Sequence, residues 1–359
     1  MARILIIGGT GAMGHYLAPK MAVMGHDVYV VSRHRPLINA GKICYLCGNA
    51  MNDAFLHEVF SIVHPDAVVD FMHYSSSAFA KRYKFILSNT THYVFLSSCR
   101  VFAGEDIHSE DSPRLLDVCT DMEYMATDDY ALAKARSEDM LKESSFRNWT
   151  IARPCIAFSS PRFQFGCLEA NTFICRALQG LPSVIPEEML DKRTSMIGAE
   201  DVAEMLSRIV LNKDAMGESF NTVTAESPTW REVAQYYAET IGMSYEVCSL
   251  EEYKRICPNN LWQLKYGRMV HHSFDNSKVL SALNMKQSDI MPLREALKSE
   301  LNILMRNPRI LQPDIACNAR MDDYCGTNFR FHGAIREHLR YYAIRNGRLY
   351  SLIQAIRGR

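Results

Sequence analysis

Tyr130 and Lys134 stand four residues apart in Tyr-Ala-Leu-Ala-Lys, inside a stretch, Asp128 to Lys142, that reads as a helix. Side chains at that spacing share one helix face, so a phenol and an ammonium can point into a single cleft. A phenol is a poor base near neutrality, with a free pKa of about 10, and a neighbouring cation favours the phenolate. A downward shift of ~3 units needs about 4 kcal/mol of differential stabilisation, within reach of a partly desolvated ammonium together with the charge of a nicotinamide. A run of apolar residues, His92 to Leu96, ends in Ser97-Ser98. A hydroxyl at a strand end and a Tyr–Lys pair on a helix beside it would surround a substrate carbonyl or hydroxyl. Taken alone, the Tyr-x-x-x-Lys spacing is more often one core edge and one solvated charge.

The elements that would position these groups begin at the N-terminus. Ile4 to Ile7 is an uninterrupted apolar run, as in a strand covered on both faces of a parallel sheet. Gly8, Gly9, Gly11 and Gly14 follow at once, and an amphipathic stretch, Ala12 to Met24, comes after. Glycines permit the tight turn and let main-chain N–H groups of the segment Gly8 to Gly14, with Thr10, Ala12 and Met13 among them, approach a pyrophosphate. The last glycine lets helix and strand pack closely, and the helix aims its positive end at the phosphates. A strand before and a helix after are the context that gives this glycine pattern its dinucleotide meaning.

Further strands are predicted over His26–Val31, Ile43–Leu46, Ala67–Met72, His92–Leu96 and Trp149–Ala152, most of them separated by helical stretches. That alternation predicts an α/β fold, a Rossmann-like doubly wound parallel sheet, with a smaller, discontinuous C-terminal substrate lobe. The expected organisation is a dinucleotide-binding domain over residues 1–158 with a return segment near 193–224, a lobe over 159–305, and a basic extension over 306–359. The second strand ends in Ser32-Arg33-His34-Arg35 where a carboxylate would bind the 2′-hydroxyl of an adenosine ribose. Two arginines and a serine suit a 2′-phosphate, so NADP(H) is favoured over NAD(H). Asn49, after the third strand, is placed to hydrogen-bond an adenine edge.

Composition sets outer bounds. Forty basic residues balance forty acidic ones across 359 residues, which favours neither nucleic acid nor an anionic membrane surface as a global partner. The N-terminal apolar run is too short for a signal peptide or a membrane span, so a cytoplasmic enzyme is expected. Eleven scattered cysteines read as reduced thiols. Cys44 and Cys47 form a Cys-x-x-Cys without a second pair at zinc-like spacing, and read as two small buried apolar residues, with no metal site. The segment 330–359 holds seven arginines against one glutamate, interleaved with Leu339, Tyr342, Ile344 and Leu349. It reads first as a terminal helix, regular over Ala334 to Ala343, with a solvated basic face, and second as an arm that meets a partner, an acidic surface or a membrane-bound enzyme.

The order of Gly8-x-x-Gly11-x-x-Gly14, Ser98 with Val101-Phe102-Ala-Gly104 after it, Tyr130-x-x-x-Lys134 and Arg153-Pro154 resembles the extended short-chain dehydrogenases/reductases. More narrowly, the chain is similar to the NAD-dependent epimerase/dehydratase family acting on nucleotide sugars. The resemblance covers about residues 1 to 290 and includes Ser195-Met-Ile-Gly-Ala-Glu-Asp-Val-Ala203 and Asp275-Asn-Ser-Lys278. It implies that Tyr130 is the acid/base, that Lys134 holds the nicotinamide ribose and lowers the Tyr130 pKa, that Ser98 hydrogen-bonds the reacting oxygen, and that the protein is a homodimer.

The departures narrow the chemistry. Sugar-nucleotide 4,6-dehydratases place Asp-Glu after the catalytic hydroxyl, where this chain has Cys99-Arg100; a thiol and a guanidinium do not replace a carboxylate acid and base, so dehydration is disfavoured. Many epimerases place Asn three residues after the arginine matching Arg153, where this chain has Ile156. In the lobe, Arg162 and Arg268 are the candidates for binding a substrate diphosphate, since guanidinium takes it in bidentate fashion. What is expected is an NAD(P)-dependent nucleotide-sugar reductase or epimerase; the alternatives are a polyol-forming sugar-phosphate reductase and a non-catalytic dinucleotide sensor.

Overall fold

The computed structural model describes residues 1–33 and 42–346. His34 and Arg35, and the tail beyond Asn346, lie outside the described residues. Seven parallel strands form one sheet: β1 (Arg3–Ile7), β2 (Asp27–Ser32), β3 (Ile43–Cys47), β4 (Ala67–Asp70), β5 (His92–Leu96), β6 (Trp149–Pro154) and β7 (Glu218–Thr222). Their order across the sheet is β7-β6-β5-β4-β1-β2-β3, so chain direction across the sheet reverses between β1 and β4. In open sheets of this kind ligands bind outside the strands' C-terminal ends at that reversal.

The apolar run of β1 explains why the sheet is covered on both sides. Ile4 and Ile6 face a cluster containing Leu17, Ala18 and Met21 of α1 (Gly14–Val23). Leu5 and Ile7 face another, with Leu56 and Phe60 of α2 (Asp53–Val63) and Phe79 and Ile86 of α3 (Ser76–Ser88). All four are fully buried, which a strand's two-residue side-chain period permits only when helices cover both faces. Each such side chain contributes about 1.5–3 kcal/mol relative to exposure. The helices behind start on short polar caps, Asn52 accepting from the Phe55 N–H and Ser75 from the Ala78 N–H.

The chain divides into two compact units, the first made of 1–159, 195–227 and 272–293 and the second of 160–194, 228–271 and 294–359. Residues 272–293, expected in the lobe, belong to the first unit: Ser273–Phe274 pairs in parallel with Ile107–His108, and Val279, Leu283 and Ile290 join the core beside α1 and α5 (Ala199–Ile209). Two-residue pairings of this kind leave no periodic signal in a sequence. In the second unit, α6 (Trp230–Ile241) starts on a Thr229/Glu232 capping box and ends at Gly242, whose φ of 66° favours glycine. Farther along, α7 (Ile315–Cys325) packs against α8 (Ile335–Arg345). The basic extension therefore does not stand apart, because Tyr341 and Ile344 are buried with Cys175, Ala319 and Phe329. Cys44 and Cys47 are exposed rather than buried, on β3, beyond which no strand pairs among the described residues. Among the described residues no group of side chains could hold a metal ion, and no helix is long and apolar enough to cross a membrane.

Candidate active site

The helix α4 (Tyr130–Lys142) begins where the Asp129 carboxylate accepts from the Ala131 N–H, which places Tyr130 at its first position. Lys134, one turn on, is almost fully buried. Its Nζ donates to the carbonyls of Leu96 at 2.5 Å and Met72 at 2.9 Å, just past the ends of β5 and β4. It lies 4.5 Å from the Phe95 ring centre and 5.9 Å from that of Tyr130. Burial pushes the Lys134 pKa down to about 8, with the charges of Asp70 and Glu138 opposing the shift. The ammonium is thus fixed by main-chain dipoles at the sheet edge.

Two further groups flank the Tyr130 ring: the His73 ring at 4.9 Å and the Arg100 guanidinium at 5.1 Å. Burial, followed by the Lys134 charge, lowers the His73 pKa, which favours a neutral imidazole beside the phenol. Ser98 is buried at the end of β5, where its Oγ accepts from the Arg100 N–H at 3.2 Å and caps a single turn, Cys99–Val101. Tyr130, Lys134 and Ser98 therefore belong to elements that meet at the C-terminal edge of β4 and β5.

The glycine turn occupies the neighbouring end of β1. Gly8 has a φ of 75°, and a Cβ on Gly14 would sit 2.5 Å from the Gly9 Cα. A Cβ on Gly9 would in turn meet the Ile6 side chain at 2.7 Å. Gly11 differs, since a Cβ there would meet only the Gly8 carbonyl at 3.5 Å, ordinary contact. The protein itself gives no steric reason for glycine at 11; close approach of a bound group to the turn would supply one. Beside it the first turn of α1 has no side-chain cap and no acidic residue, a helix start suited to an anion. Thr10 Oγ1 and Ser32 Oγ lie 3.0 Å apart, tying the turn to the end of β2, and Arg33 next to it is exposed. These features fit a dinucleotide. Asn49 is exposed, with its Oδ1 accepting from the Met51 N–H at 3.0 Å in a local turn.

Sequence reasoning left three nearby charged groups without a role. Glu138, one turn beyond Lys134, is fully buried and takes Arg153 Nε at 2.8 Å and Nη2 at 2.7 Å, the Ser97 hydroxyl at 2.5 Å and Arg114 Nη1 at 3.3 Å. Asp70, at the end of β4, accepts from the hydroxyls of Tyr74 and Tyr93 and from the Met72 N–H, and burial raises its pKa. Arg100 reaches Asp129 at 3.5 Å. The spacing Tyr130, Lys134, Glu138 was a legible signal for the first; nothing local announced the other two. Cys99 is buried with Sγ donating to the Arg153 carbonyl at 3.1 Å, and burial drives its pKa well up, so it supplies no acid or base. Ile156 lies in a short parallel pair with Met196.

The two lobe arginines differ from each other. Arg162 is exposed. Arg268 is buried over the Trp230 ring and donates to the Gly166 and Gly267 carbonyls, both at 2.8 Å, and to Gln164 Oε1 at 3.1 Å, contacts that hold the lobe's own backbone. A cleft of about 510 Å³ lined by Arg3, His57, His64 and Asp66 opens at the opposite, N-terminal edge of the sheet and contains none of the groups above.

Solved structures with the same fold include an epimerase from the methanogen Methanothermobacter thermautotrophicus, 16% identical, covering 86% of this chain and 94% of its own, with a TM-score of 0.69. A Bordetella bronchiseptica enzyme in complex with NAD+ aligns with a TM-score of 0.64 at 16% identity, over 86% of this chain and 99% of its own. The UDP-N-acetylglucosamine 4-epimerase of Bacillus cereus gives 0.62 at 16% identity, over 86% and 100%. No curated protein matches in sequence. The family model for the NAD dependent epimerase/dehydratase family matches residues 4–222, which takes in the glycine turn, the Ser98 strand end and the Tyr130–Lys134 helix; the chain belongs to that family.

Proposed function

We propose that the protein moves a hydride to or from a ring carbon of a nucleotide-activated sugar, with 4-epimerisation as the leading reaction. The observation that carries this reading is the buried Lys134 ammonium, fixed on two strand-end carbonyls beneath the Tyr130 ring. A cation held there stabilises phenolate, so Tyr130 takes the proton of a sugar hydroxyl or returns it to a carbonyl oxygen. Ser98 hydrogen-bonds that same oxygen. The turn Gly8 to Gly14 and the bare start of α1 would hold the pyrophosphate of a nicotinamide dinucleotide, which would supply the hydride acceptor and donor. Dehydration is disfavoured because Cys99 is buried against a carbonyl and Arg100 is a permanent cation. Arg162 is the proposed diphosphate contact of the second unit, and a homodimer is the proposed assembly, to be checked by light scattering.

One observation favours a second reading, net reduction with NADPH. The end of β2 presents Ser32 and exposed Arg33 with no carboxylate, a pair suited to a 2′-phosphate. The test offers UDP-hexoses and their N-acetyl forms to the purified protein with NAD or NADPH, following sugar configuration by NMR and reduced nicotinamide by absorbance. Epimerised product without net cofactor turnover supports the leading reading; stoichiometric NADPH oxidation supports the second. Cofactor binding without turnover of any sugar, unaltered by Tyr130→Phe, would mean a dinucleotide sensor.

A further inference from the structure

The overall neutrality of the chain conceals a local asymmetry at its C-terminal end. Helix α8 docks through Tyr341 and Ile344, and the Tyr341 hydroxyl donates to the buried Asp322 carboxylate. Its other face carries Ile335, Leu339 and Tyr342, spaced four and three residues apart and so aligned in one stripe. These side chains are 80%, 66% and 55% exposed, and it is their alignment on one helix face that sets them apart from apolar residues that are exposed singly elsewhere, such as Val23 and Met122. Arg336 and Arg340, both exposed, border the stripe on one side. Arg345 borders the other, held by Asn328 Oδ1 at 3.1 Å and the Thr327 carbonyl at 2.6 Å. The helix's single acid, Glu337, faces away and caps the start of the helix by accepting from the Ala334 N–H. The sequence that follows, 347–359, adds three arginines and no acid.

We infer that this face of α8 docks on an anionic lipid bilayer. An aliphatic stripe with a tyrosine at one end and arginines along both borders is the pattern of a helix lying in the headgroup region: the apolar side chains enter the acyl boundary while guanidinium groups meet lipid phosphates. Charge decides between a membrane and a protein groove. The exposed border is of one sign throughout, which complements a continuous negative surface, whereas a helix seated in a protein groove is fixed in register by borders of mixed sign. The inference is independent of the reaction proposed above. It places the protein at a membrane surface.

Co-sedimentation of the full chain with phosphatidylcholine vesicles, with and without phosphatidylglycerol, tests this. The expected result is pelleting with the anionic vesicles, none with the neutral ones, and release by salt. Leu339→Glu should abolish pelleting with no change in melting temperature, because Leu339 supports no core. Arg336→Gln with Arg340→Gln should weaken partitioning about ten-fold or more. Failure of the wild type to pellet, pelleting unchanged in Leu339→Glu, or a dimer that Leu339→Glu converts to monomer would each overturn the inference, the last by assigning the stripe to a second copy of the chain.

Discussion

Lys134 and Glu138 are buried one turn apart on the same helix, and their surroundings have opposite character. The Glu138 carboxylate is saturated, with two bonds from Arg153, one from Arg114 and one from Ser97. Burial alone would raise its pKa, yet Arg153 overrides that and holds it below the ordinary glutamate value. Lys134 donates to two neutral carbonyls, and burial lowers its pKa against the more distant charges of Asp70 and Glu138. A charge that is fully paired stays fixed through the physiological range; one held only by dipoles remains close to titration and available to a neighbour. On the function proposed above, the contrast divides α4 between a first turn that serves the chemistry and a middle turn that keeps the fold intact.

The largest effect that would break this division comes from Tyr130→Phe. Removal of the hydroxyl should cost about 10²–10⁴-fold in turnover, the range for general acid–base groups, and leave the melting temperature where it was. A variant that unfolds instead would put Tyr130 on the structural side. Next comes Arg153→Met, which removes the two-bond partner of the buried Glu138 and leaves only Arg114 at 3.3 Å to oppose its charge: a loss of about 3 kcal/mol is expected by urea denaturation. Because the folded-state pKa of Glu138 lies below its unfolded value, its stabilisation is complete above the usual glutamate range and fades as pH falls through the lower folded value. Acid unfolding of the wild type should therefore be steeper than that of Glu138→Gln.

Lys134 should behave in the reverse sense. With a folded pKa of about 8 against 10.5, the unfolded chain holds more protons between those values, so stability rises with pH across that window, by up to about 3 kcal/mol relative to Lys134→Met. Activity should fall over the same range, since the cation beside the phenol is lost. Parallel rise of both would separate Lys134 from the reaction.

Much of this was readable in advance, for a physical reason. The central strands β1, β4 and β5 announce themselves as apolar runs because helices bury both their faces, and the glycine turn because backbone approach tolerates no Cβ at Gly9 or Gly14. β7 did not, since Glu218-Ser-Phe-Asn-Thr222 is largely polar; its place follows from pairing with β6, a contact distant in sequence. The same applies within the site. Tyr130 and Lys134 are visible as a helical spacing, whereas His73 and Arg100 reach the phenol only through the meeting of loops after β4 and β5.

Arg100 gives the smallest effect and the finest test of how the phenol is set. Its guanidinium, 5.1 Å from the ring centre, is a second cation at Tyr130, with Lys134 the first, the His73 ring 4.9 Å from the phenol ring, and Asp128 and Asp129 as the acidic residues at the helix start. Two unit charges about 6 Å apart interact by roughly 3 kcal/mol at an effective dielectric of about 20. The Asp129 carboxylate at 3.5 Å and a side chain about one-fifth exposed reduce what reaches the phenol. Arg100→Gln should therefore move the Tyr130 titration upward by about half to one unit, and Arg100→Lys by less. Carbon-13 NMR of the tyrosine Cζ signals, with Tyr130 assigned by its absence in Tyr130→Phe, reads this directly without any substrate. An unmoved titration would leave Lys134 as the cation that sets the phenol, and would give Arg100 over to anchoring Asp129 at the start of α4.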